Sequence, residues 1–78
     1  MAQVAQDFTL DELIGIEDAI EAMMGNVRRT EYIAMHKLDS QSWAGRIFDL
    51  AQAEVMANGA SARKALNFIR RGIDSFRD

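Results

Sequence analysis

The stretch from Val55 to Arg71, "VMANGASARKALNFIRR", decides how this chain is organised. Asn58-Gly59 reads as a helix stop, because glycine and asparagine tolerate the backbone conformations that close a helix. Ser61 reads as the next helix start, its hydroxyl placed to accept from first-turn amides. Downstream, Leu66, Ile69, Ile73 and Phe76 form one apolar line, with Ala62 and Ala65 beside it. The stretch is therefore a helix end, a tight corner and a second helix carrying Arg63, Lys64, Arg70 and Arg71. What the corner is for depends on the rest of the chain.

Working outward, "DSQSWAGRIFDLAQAEVMANG" predicts the helix that enters the corner, capped by Asp39 or Ser40. Trp43, Ile47, Phe48, Leu50, Ala51 and Val55 make its apolar face. Glu54 falls inside that face, which places it at the rim or beside a cation. The first helix is announced by "FTLDEL". Thr9 is the N-cap, Glu12 completes a capping box, and Phe8 with Leu13 forms a hydrophobic staple. This helix is expected to run to about Met24, with Gly25 as a left-handed cap. Leu13, Ile16, Ile20, Met23 and Val27 follow a 3-4-3-4 spacing, and Leu10, Ile14 and Met24 widen the stripe. So broad an arc touches more than one neighbour. In "NVRRTEYIAMHKLD" the residues Val27, Ala34 and Leu38 suggest a further stripe, separated from the first helix by a break at Gly25-Asn26. With no proline and helical spacing throughout, the chain is expected to be all-α, a compact bundle of three to four antiparallel helices. Residues 8–78 form the single domain, and residues 1–7 a flexible N-terminus.

Composition narrows the function. The 78 residues include no cysteine and one histidine, which leaves no disulfide framework and no thiolate metal site. No cofactor is expected. No run of 18 apolar residues exists, and the start "MAQVAQDF" lacks signal-peptide blocks, so a cytoplasmic protein with no membrane partner is expected. Net charge is −3, but it is unevenly spread. Asp7, Asp11, Glu12, Glu17, Asp18 and Glu21 crowd the first 24 residues, which carry no base. Arg63, Lys64, Arg70, Arg71 and Arg77 dominate the other end. A chain this short has a thin margin of stability, which favours self-association as a homodimer, with Ile14, Met23 and Met24 near the contact.

Three functional readings follow. Catalysis needs convergent acid-base or nucleophilic groups, and neither a phosphate loop nor such a constellation is visible. His36, in "AMHKL", reads as a solvent-facing or partly packed side chain. The segment "EVMANGASARKALNFIRR" resembles the helix-turn-helix of DNA-binding regulators, with Gly59 at the turn and Ser61 starting the recognition helix. That resemblance implies that Lys64, Asn67 and Arg71 face a DNA groove, where asparagine suits adenine and arginine suits guanine. The segment departs from the pattern at Glu54 and Ala65, where aliphatic residues are usual. As a plain bundle corner, the same stretch places Arg63, Arg70 and Arg77 beside the apolar line, opposite Glu12 and Glu17 of the first helix.

The favoured reading is a non-enzymatic protein-interaction module, with Asp11, Ile14, Asp18, Glu21, Met23 and Met24 as its partner-binding candidates. In size and style it resembles the small accessory proteins of phages and mobile elements, anti-CRISPR inhibitors among them, which implies a host protein surface as partner. A helix-turn-helix regulator is the alternative, and a structural subunit of a larger assembly the third. Gly15, Gly45 and Gly72 lie inside predicted helices, where each marks a close helix crossing or a tolerated imperfection.

Overall fold

The computed structural model describes residues 7–36 and 41–77. Among them are four helices and no strand: α1 (Leu10–Met24), α2 (Arg29–Met35), α3 (Gln41–Ala57) and α4 (Ala62–Arg77). The expected caps Asp39 and Ser40, the stripe residue Leu38 and the expected flexible segment, apart from Asp7, lie outside the described residues.

Local chemistry sets the ends of α1. The Thr9 hydroxyl accepts from the Glu12 amide at 3.1 Å, and the Glu12 carboxylate accepts from the Thr9 amide at 2.9 Å. Phe8 and Leu13 both pack into the core, as a staple requires. At the other end, the break at Gly25-Asn26 is real, but the expected left-handed Gly25 is not found. Gly25 has φ −91°, and Asn26 takes the left-handed conformation at φ 67°. The chain closes as a Schellman motif. The Asn26 amide donates to the Met23 carbonyl and the Val27 amide to the Ala22 carbonyl, both at 2.9 Å. The left-handed position falls one residue past the cap, and asparagine is among the few side chains that accept it.

The corner between α3 and α4 forms as expected, with a helix stop at Asn58-Gly59 and a start at Ser61. Gly59 has φ 75°, the Ser61 hydroxyl accepts from the Lys64 amide at 3.2 Å, and the Ser61 carbonyl from the Ala65 amide at 3.0 Å. Ala60 is also left-handed at φ 61°, a strained choice for a residue with a Cβ.

Helix α1 is the hub, packing mainly against α4 and α3, while the short α2 rests on α3. The core joins Leu13, Ile16, Ala19 and Ile20 of α1 with Tyr32 of α2 and Ala44, Ile47, Phe48 and Ala51 of α3. Ala65, Leu66, Ile69 and Ile73 of α4 complete it. Several expectations about which face turns inward are corrected. In α2 the buried side chain is Tyr32, and Ala34 is exposed, because the break at Asn26 resets the helix phase. Phe76 is 52% exposed, although it continues the apolar line of α4. Trp43 is 37% exposed and sits at the edge of the core. Glu54 has no cation beside it: the residue is 5% exposed, and among the described residues no side chain pairs with its carboxylate. Burial pushes its pKa up.

The expected alignment of acids against bases is formed once, at Arg70. Its Nε donates to Glu17 at 2.8 Å and its Nη2 to Glu21 at 2.7 Å, which raises the guanidinium pKa, the Glu17 bond contributing most. Glu12 turns instead to Arg46 of α3 at 2.6 Å. Its pKa is held down first by the Thr9 amide and then by Arg46.

Candidate interaction surface

Residues three and four apart share a helix face. Asp11, Ile14, Asp18 and Glu21 follow that spacing, and all four are exposed on the outer side of α1. Met23 lies nine residues after Ile14, half a turn away in azimuth at 3.6 residues per turn. It faces a second concavity, which it lines with Val27, Phe48 and Gln52. Met24 is exposed at the C-terminal end of α1. Four of the six partner-binding candidates therefore share a face, and Met23 belongs to another.

Beside the acidic face, α3 supplies a residue that sequence reasoning had assigned to the core. The Trp43 indole lies against the backbone of Gly15. A Cβ at Gly15 would meet Trp43 Cη2 at 2.9 Å and Ile47 Cγ2 at 3.2 Å. Gly15 thus marks a close crossing, as its position inside the helix suggested, and only glycine leaves the indole this room. Gly45 meets a side chain rather than a helix: its missing Cβ makes way for Arg29 Nη2, which would lie 2.8 Å off. Arg29 runs on to Asp49, with Nε to Oδ1 at 2.9 Å.

Helix α2 closes the far side. Its N-terminus is held by Glu31, whose carboxylate accepts from the Arg28 amide at 3.0 Å. This points Tyr32 inward and His36 along the same edge. The Tyr32 hydroxyl donates to Asp18 Oδ2 at 2.9 Å. The His36 ring packs on the Tyr32 ring with centroids 4.2 Å apart, and His36 Nε2 lies 3.5 Å from Asp18 Oδ2. Nε2 is enclosed and makes no hydrogen bond among the described residues. Burial, and then the bond to Asp18, push the Tyr32 pKa far up. Its hydroxyl therefore keeps its proton and serves as a fixed donor that orients Asp18.

Asp11, Ile14, Gly15, Asp18, Tyr32, His36 and Trp43 together line an open concavity of about 530 Å³. It has an aromatic and aliphatic floor, from Trp43, Tyr32 and Ile14, and a carboxylate wall. Among the described residues no group of three or more acids and histidines is arranged to hold a metal ion. The sequence pointed to the carboxylate wall and to Ile14 but not to the aromatic part of the floor. Tyr32 comes from α2, His36 from its C-terminal cap and Trp43 from α3, and Gly15 alone signalled a close neighbour.

The nucleic-acid candidates Lys64, Asn67 and Arg71 are all exposed on α4. The Arg71 guanidinium lies 6.0 Å from the Phe68 ring centroid, so part of its charge rests over its own helix. Asp74 is exposed on the same side, seven residues after Asn67. No helix of the described residues is long and apolar enough to cross a membrane. Comparison with protein-family models, curated proteins and solved structures finds no match.

Proposed function

We propose that this chain is a non-enzymatic protein-interaction module, acting in the cytoplasm, that docks a protein partner on the concavity between α1, α2 and α3. The observation that carries this reading is the placement of Trp43. It is held against Gly15 by a contact only glycine permits, yet more than a third of it stays open beside the exposed Ile14. A tryptophan and an isoleucine side by side at the surface gain by being covered, and aromatic anchors of this kind dominate binding energy at protein interfaces. The carboxylates around them set orientation and choice of partner. An inhibitor that occupies a host protein's surface, as small phage accessory proteins do, is one form such a module takes.

Affinity capture with the wild-type chain and with Ile14→Asp tests the proposal. Ile14 is 43% exposed, so the substitution leaves the core intact. A partner held by the wild type and lost from Ile14→Asp is the expected result. An identical set of bound proteins with both chains would refute this choice of surface.

Self-association is part of the proposal, but Ile14 and Met23 face opposite ways, so a single seam cannot cover both. Light scattering at tens of micromolar decides it, a monomer mass removing the dimer. The helix-turn-helix reading draws on the outward set Lys64, Asn67 and Arg71. It requires salt-dependent binding to duplex DNA that is lost when those three become alanine.

A further inference from the structure

Of the acids near α1 and the concavity, some are paired within the chain and two are not. Glu12, Glu17, Glu21 and Asp49 are each satisfied by an arginine of the same chain, at 2.6 to 2.9 Å. Asp11 and Asp18, on the concave face, have no lysine or arginine partner among the described residues. Asp18 is nonetheless held in place, by the Tyr32 hydroxyl. Two carboxylates on one helix face, seven residues apart, stand about 10.5 Å from each other along the axis. Ile14 lies between them, three residues from one and four from the other.

We propose that the partner segment is a basic amphipathic helix, with two cations seven residues apart and an aliphatic residue between them. This rests on the reading of the concavity as a docking site and names its occupant. The aliphatic residue covers Ile14 and the open part of Trp43, and the cations meet Asp11 and Asp18. Arginine suits these positions better than lysine, because its planar guanidinium bonds a carboxylate and stacks on an indole at the same time. A neutral apolar segment would desolvate both carboxylates without a partner. Nucleic acid would bring phosphates against them. An extended strand gains its affinity from an open sheet edge, and the surrounding elements are all helices. A helix carries its side chains at the same 3-4 spacing as α1 and needs no backbone partner.

The probe is a pair of alanine-rich helical peptides of identical composition. One carries arginines seven residues apart with leucine between them on one face. In the other the arginines are moved to the opposite face. Trp43 is the only tryptophan, so its fluorescence reports the site directly. The first peptide should shift the emission saturably and bind roughly tenfold more tightly than the second, with the advantage shrinking as salt is raised. Asp11→Asn and Asp18→Asn should each weaken it by about two- to fivefold, the range for one exposed ion pair. Asp74→Asn, on α4, should leave it unchanged. Circular dichroism confirms that each variant is folded before it is titrated. Equal affinity for the two peptides, or no response of Trp43 to either, overturns the proposal. If affinity capture then shows a partner lost from Ile14→Asp but retained by Asp11→Asn and Asp18→Asn, the docking surface stands and the basic helix falls.

Discussion

Glu54 is the side chain whose replacement tests the packing most sharply. It lies in the apolar face of α3, 5% exposed; its carbonyl accepts from the Asn58 backbone amide at 3.1 Å and side-chain amide at 2.8 Å, while among the described residues its carboxylate has no partner. Burial raises its pKa, so the folded chain binds this proton more readily than the unfolded chain does. The sign follows from linkage. Relative to a variant without this ionisation, the wild type is best placed below the ordinary carboxylate range, near pH 4. It loses that standing as pH rises through the folded-state value. At pH 7 the buried carboxylate is therefore a burden. A carboxylate held against an apolar face without a cation loses part of its hydration. Glu54→Leu and Glu54→Gln should therefore each be more stable than the wild type at pH 7, by up to about 1 kcal/mol. For a domain of this size the urea m-value is about 1 kcal/mol per molar, so the midpoint should move up by at most about 1 M. Urea unfolding at several pH values between 4 and 8 measures the gap, which should close toward pH 4. A Glu54→Gln variant less stable than wild type at pH 7, with the deficit growing at higher pH, would mean that the carboxylate is paired and the reasoning wrong.

Three further outcomes are expected. Thr9→Ala removes the acceptor of the Glu12 amide and should cost about 0.5–2 kcal/mol, read as a lower thermal midpoint; an unchanged melt would show that the cap does not hold the helix. Gly15→Ala gains about 1 kcal/mol of helix propensity but overpacks Ile47 and Trp43, a strain of about 1–3 kcal/mol. The net change should be a loss of up to about 2 kcal/mol with a red-shifted Trp43 emission, and an unmoved spectrum would contradict the close contact. Of the three arginines spaced by seven on α4, only Arg70 reaches acids of α1, so Arg70→Met should lower the thermal midpoint slightly, less in high salt, while Arg63→Met and Arg77→Met leave it essentially where it was. Equal losses at all three positions would show that the bridge to Glu17 and Glu21 contributes nothing specific.

Several helix ends were legible in the local sequence. The Thr9–Glu12 box, the stop at Asn58-Gly59 and the start at Ser61 are contests between neighbours within four residues, and such contests are settled locally. The width of the α1 apolar arc likewise announced more than one neighbour, and α1 packs against both α4 and α3. Even the displaced left-handed residue, Asn26 in place of Gly25, stayed within one position of the expected cap. Which side of each helix is covered, and by what, came from the packing of distant segments. Periodicity places Trp43, Phe76 and Glu54 on apolar faces and leaves Tyr32 off one, but burial depends on where neighbouring helices stop and how they are phased. Tyr32 went in and Phe76 stayed out. The pairing of charges was decided the same way: Glu12 found Arg46 in α3, although Arg63 and Arg77 carried the same charge on α4. The proposed site is the clearest case. Its acids are one periodic row in the sequence. Its floor joins Gly15 to Trp43 and Asp18 to Tyr32 and His36, residues 14 to 28 positions apart, and no local rule brings them together.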